Sequence, residues 1–191
     1  MAISLLIIAS CFLAALLSGR LSLNLPAWRR PLLVGVALAL QGFFVAFPPA
    51  WMTADRATVI YLGTQALVGA FLFLNRSIAG AGLLAVGLGL NVLVVGANGA
   101  MPVSAAAIES AGAEAMSHFR HIDHGVHLRN EPMDATTRLA PLADVIPVRP
   151  LGKVVSPGDL VIVLGLIAMT ASCVGRPARF ATGSALSEGR A

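Results

Sequence analysis

The chain has 191 residues, the length of one domain. Only 12% of them are charged, against about a quarter in ordinary globular proteins, and mean hydropathy is +0.84. Net charge is +4, with twelve arginines and one lysine. The basic residues cluster beside apolar runs, where they set membrane orientation, so the composition excludes an ordinary water-soluble domain and nucleic acid is not an expected partner.

The first apolar run, Ala2 to Ser18, ends at Gly19-Arg20. It lacks a basic leader and is longer than a signal core, so it reads as an uncleaved helix although "IASC" loosely resembles a lipoprotein box. A second run, Pro31 to Phe47, is closed by Pro48-Pro49. The third spans about Ala57 to Leu74, and the fourth about Ile78 to Ala97, after the short connection "NRS". The fifth runs from Pro157 to about Val174. A hydrocarbon core of about 30 Å needs about 18 or more apolar residues per helix. The expected fold is therefore an all-α integral membrane protein of five transmembrane helices. Residues 1–174 form the membrane domain and 175–191 a disordered cytoplasmic tail.

Arginine placement sets the orientation. With the N-terminus outside, the cytoplasmic side receives Arg20, Arg29, Arg30, Arg76, Arg176, Arg179 and Arg190. The expected location is the inner membrane of a bacterium, N-terminus out and C-terminus in. The long loop from Asn98 to Ser156 is then extracytoplasmic. Cys11 and Cys173 lie in apolar segments near opposite ends of the chain and read as buried free thiols.

No span carries a charge in its middle. Gln41, Gln65 and Asn91 are the polar side chains within the spans. Gln41 and Gln65 fall near mid-depth, which predicts an amide–amide hydrogen bond between the second and third helices. In the fourth span Ala81, Ala85 and Gly89 recur every four residues, with Gly82, Gly87 and Gly96 beside them. Such a row allows close backbone approach. The partner is another helix of this chain by default, and otherwise a second copy or another membrane protein.

In the loop, "NGAMPVS" gives a turn at Asn98-Gly99, and Ser104 caps a helix expected over about Ala105 to His124. Ile108, Ala111, Ala115, Phe119 and Ile122 form its apolar stripe, and Gly112 interrupts it. All four histidines, at 118, 121, 124 and 127, cluster here. At about 100° per residue, Glu114, His118 and His121 share one helix face. A carboxylate and two imidazoles suit Zn²⁺ or a similar divalent ion. The alternative is an ordinary polar helix end, with imidazoles complementing the dipole, and then no cofactor is expected. Downstream, Asp134 is expected to cap a short helix through Leu142 that Pro147 and Pro150 stop. "SPGD" opens the fifth span with Ser156 as N-cap, Pro157 at N1 and Asp159 at N3, a capping box with Asp in place of Glu.

"NGAMPVS", "TRLAPLADVIP" and "SPGD" together resemble the signatures of a bacterial family of small multi-pass membrane proteins of unknown function. The family pattern has glycine before the aspartate of the middle motif, where this chain has Ala143. The resemblance singles out Asn98, Gly99, Met101, Pro102, Asp144, Pro147, Ser156, Gly158 and Asp159, and implies no reaction. The function expected is a non-enzymatic scaffold, subunit or sensor accessory in the bilayer, presenting an extracytoplasmic cap. The alternatives are a metal- or acid-assisted membrane hydrolase using Glu114, His118, His121 and Asp144, and a small-solute transporter lined by Gln41, Gln65 and Asn91.

Overall fold

The computed structural model describes residues 22–23, 26–47, 49–112 and 130–175. It is mostly helical. In chain order the elements are β1 (Ser22–Leu23), α1 (Leu32–Ala46), α2 (Ala54–Leu74), α3 (Ala81–Asn98), β2 (Met101–Val103), α4 (Ala105–Ala111), β3 (Asn130–Pro132), β4 (Ile146–Val148), β5 (Lys153–Val155), α5 (Pro157–Cys173) and β6 (Val174–Gly175). Single 3₁₀ turns at Ala140–Leu142 and Arg149–Leu151 flank β4.

Among the described residues two helices are long and apolar enough to cross a membrane, over Asp55–Leu74 and Ala81–Asn98. Two further apolar helices are shorter, within Leu32–Phe44 and over Pro157–Cys173. The run from Ala2 to Ser18 and the tail from 176 onward lie outside the described residues. The fold also departs from the all-α expectation. Three two-stranded ladders form: β1 with β6 antiparallel, β2 with β3 parallel, and β4 with β5 antiparallel. These strands are too short for a period-two pattern to show in sequence.

Burial in the helical part sorts by polarity in an uncommon way. Thr64, Asn75 and Asn91 are buried, while Val36, Phe43, Val59, Phe73, Val86, Leu93, Leu164 and Ile167 are exposed. One apolar cluster forms around Phe71, Leu72 and Ala81, with Trp28 stacked on Phe71 at a ring separation of 5.5 Å.

The expected Gln41–Gln65 bond does not form. Gln41 Nε2 donates to Thr64 Oγ1 at 2.7 Å, and Thr64 in turn donates to the Tyr61 carbonyl. One residue along a helix is a rotation of about 100°, so Thr64 and Gln65 face different neighbours. Gln41→Leu is expected to cost about 0.6–2 kcal/mol in thermal unfolding in detergent, while Gln65→Leu costs less. Equal effects of the two would contradict the assignment.

Helices α3 and α5 approach more closely than any Cβ allows at four points. A Cβ on Gly87 would lie 2.6 Å from the Gly158 carbonyl oxygen, and one on Gly80 would lie 2.1 Å from that of Gly165. Built on Gly165, it would lie 2.8 Å from Leu84 N. The contact thus uses two glycines seven residues apart on each side. Of the residues expected to form the close row, Gly89 has nothing within 4 Å of its Cβ position, and neither do Gly82 and Gly96. Ala81 is buried, but with Ala85 it faces the Phe71 cluster.

The segment between α3 and α5 folds as a cap over one end of the bundle. Val94 and Val95 of α3 pack with Met101 and Ala143, joined by Tyr61, Leu62, Met133, Leu142 and Val145. A second cluster joins Val103, Ile108 and Ala111 to Val154. Ser104 caps α4, its Oγ accepting from Ala107 N at 3.3 Å. The helix expected to reach His124 stops at Ala111, because Gly112 turns the backbone to φ +107°. Asp134 does not start a helix. Its carboxylate accepts from Thr136 N and Oγ1 in a tight turn, and these bonds hold it below the usual carboxylate range. Pro147 sits in β4 and Pro150 in the 3₁₀ turn of the following hairpin.

Candidate functional site

The polar groups of the cap meet the bundle at the first turn of α5. Ser156 and Asp159 bond reciprocally: Asp159 N donates to Ser156 Oγ at 3.0 Å, and Ser156 N donates to Asp159 Oδ2 at 3.2 Å. This capping box satisfies two helix-end donors that would otherwise be orphaned. Asn91 of α3 closes the arrangement from the other side. Its Oδ1 accepts from Ser156 Oγ at 2.9 Å, and its Nδ2 donates to Asp159 Oδ1 at 2.9 Å. Ser156 is fully buried and Asn91 nearly so. Gly158 is what lets Asn91 in, since a Cβ there would lie 2.0 Å from Asn91 Oδ1.

Asp144 lies at the centre of the cap's hydrogen bonding. Its N–H donates to the Pro102 carbonyl and its carbonyl accepts from Ser104 N, both at 3.0 Å, forming a parallel bridge with Val103. The side chain is 9% exposed, and Oδ2 receives Asn130 Nδ2 from β3 at 3.5 Å. Burial first, and the Asp159 carboxylate second, push its pKa up to about 7. A carboxyl that titrates near neutrality is chemically a proton donor and acceptor at physiological pH.

A second tie uses Asn98, the last residue of α3. Its Oδ1 accepts from Arg138 N at 2.8 Å, and its Nδ2 donates to Arg138 O at 2.9 Å and to Val94 O at 2.8 Å. The next residue, Leu139, is held at φ +55°. The same device recurs at the opposite end of the bundle. Asn75, after α2, accepts from Arg29 N at 2.8 Å and donates to Arg29 O at 2.9 Å, and Arg30 follows at φ +54°. Each side-chain amide pairs with one arginine's backbone like an extra peptide group. The strained conformation next to it persists because both flanks are fixed.

The signature residues are thus partly assembled. Ser156, Gly158 and Asp159 meet Asn91 at the first turn of α5, while Asn98 is tied to Arg138 and Asp144 to Pro102, Ser104 and Asn130 elsewhere in the cap. Gly99 takes φ +88° after α3, and its carbonyl accepts from Thr58 Oγ1. Met101 and Pro102 are buried in β2, and Pro147 is exposed. Gln41 and Gln65 lie away from this seam, on α1 and α2. Glu114, His118 and His121 lie outside the described residues. Among the described residues no three His, Cys, Asp or Glu side chains stand together to hold a metal ion. Asn75 and Asn130 escaped sequence reasoning. The "NRS" connection was the only signal for the first, and an isolated asparagine gave none for the second.

Residues 27–171 match the family of unknown function DUF5317, so the chain belongs to that family. No curated protein matches it, and no solved structure does.

Proposed function

We propose that this DUF5317 member is a non-enzymatic inner-membrane module of a bacterium, a scaffold, subunit or sensor accessory that presents a folded extracytoplasmic cap. Five spans then anchor it, with the N-terminus out and the C-terminus in. The exposed apolar side chains on α1, α2, α3 and α5 support lipid contact, because a water-soluble monomer rarely presents so much contiguous apolar surface. The buried polar residues support the same reading, since in lipid a polar side chain is best spent tying helices together.

The observation that carries the non-enzymatic reading is the closed set of bonds among Asn91, Ser156 and Asp159. These side chains bond one another and the backbone, as ties between cap and bundle do. Gln41 is likewise engaged with Thr64, which favours helix ties over a lined transport path. Asp144 is shielded by the cap, which favours a structural or regulatory role over attack on a substrate.

The test is backbone hydrogen exchange on the full chain in lipid nanodiscs near pH 6. The amides of Ser104, Met133 and Asp144, each bonded across segments, are expected to exchange as slowly as those at the end of α3. Exchange at the rate of an unfolded loop would contradict a docked cap.

A further inference from the structure

The cap is joined to the bundle at a seam holding two carboxylates, Asp144 from the cap and Asp159 from α5. They are not equivalent. Asp159 is engaged on both oxygens by donors, Asn91 Nδ2 and Ser156 N. Asp144 has the long Asn130 contact to Oδ2. Its backbone links the end of β2 to Ser104, and its neighbour Ala143 packs on Val94 and Val95. Charge on this one side chain is therefore felt where the cap grips α3.

We infer that Asp144 is a proton-operated latch: the cap is fully seated while this carboxyl is protonated, and loosens when it ionises beside Asp159. The inference rests on the reading of the cap as a docked extracytoplasmic element, and gives that element a signal, the acidity of the outer compartment. Among the described residues the charged and titratable groups around the latch are these. From α5 there is Asp159, whose charge raises its pKa. From β3 there is Glu131, which is exposed. From α4 there is Glu109, also exposed, and from α2 Tyr61 packs on the cluster that holds Ala143. Arg138 precedes the 3₁₀ turn at Ala140–Leu142 with its backbone taken by Asn98, and Lys153 lies in β5.

The sign follows from linkage. The folded state holds the Asp144 proton up to about pH 7, against 3.8 for the free side chain. Between those values the folded cap binds more protons than the open one, so seating weakens as pH rises and the advantage is gone above about 7.

The experiment is hydrogen exchange of the full chain in nanodiscs of zwitterionic lipid at pH 5 and pH 8, expressed as protection factors to remove the intrinsic pH effect. Protection at Ser104, Met133 and Asp144 is expected to fall about tenfold to a hundredfold between the two. In Asp144→Asn, an uncharged isostere, protection is expected to stay high at both. In Asp159→Asn the fall is expected to shift to lower pH, because the like charge is gone. Protection in the wild type that does not change with pH would overturn the latch and leave the docked cap standing. A fall of the same size in Asp144→Asn would overturn it too. Free exchange at both pH values would overturn the docked cap and the latch together.

Discussion

Gly158→Ala is expected to destabilise the protein by about 2–4 kcal/mol, the sum of overpacking and of broken buried hydrogen bonds. The added methyl would lie 2.0 Å from Asn91 Oδ1 and 2.8 Å from the Gly87 carbonyl oxygen. Neither neighbour can give easily. The Gly87 carbonyl belongs to a helix backbone, and Asn91 is fixed at both ends of its amide by Ser156 and Asp159. The helices must separate or the amide must leave the seam. Gly89→Ala is the matched control, since nothing lies within 4 Å of its Cβ position. In a helix interior that change is expected to be neutral or to stabilise by up to about 1 kcal/mol. Thermal unfolding in detergent, followed by Trp28 and Trp51 fluorescence, reads both. Similar unfolding temperatures for the two variants would contradict the close packing of α3 on α5.

Asn91→Leu should have the second largest effect, about 1–3 kcal/mol. Leucine keeps asparagine's branched outline and suits a helix in lipid, but its methyls cannot sit at the 2.9 Å separations that the amide's hydrogen bonds allow. The loss comes from the partners. Ser156 Oγ is fully buried and loses its acceptor, while Asp159 Oδ1 loses its donor. The effect should be local. Hydrogen exchange is expected to quicken in the cap and the first turn of α5, with the Phe71 cluster unchanged. A variant as stable as the wild type, with cap protection intact, would remove Asn91 from the account.

Much of the helical layout was legible because helix ends carry chemistry. "SPGD" spells a capping box, and its two reciprocal bonds need no tertiary partner. Ser104 before "AAAIESA" reads the same way. The α3–α5 contact was not legible. Every small residue of α3 is a candidate until it is known which face meets α5: Gly87, named beside the row, lies in the contact, Ala81 and Ala85 pack on the Phe71 cluster instead, and Gly89 meets nothing. The Gln41 bond failed for a related reason, since neighbouring residues on one helix point about 100° apart. The cap's strands escaped because each is only three residues long and three of them contain proline. Asp144 and Asp159 read as separate punctuation fifteen residues apart, and only the fold makes them neighbours. Gly112 weakened the long loop helix in sequence, and its positive φ ends that helix.

The account's central claim is that α1, α2, α3 and α5 lie in the membrane with the cap on its outer face. Single cysteines placed at Glu131 in the cap and at Arg76 at the opposite end of the bundle, in a Cys11→Ala/Cys173→Ala background, test it with a membrane-impermeant maleimide on spheroplasts. The account predicts labelling at position 131 in intact spheroplasts, and at 76 only after permeabilisation. Labelling of 76 alone from outside, or of both in a chain recovered from the soluble fraction, would contradict it.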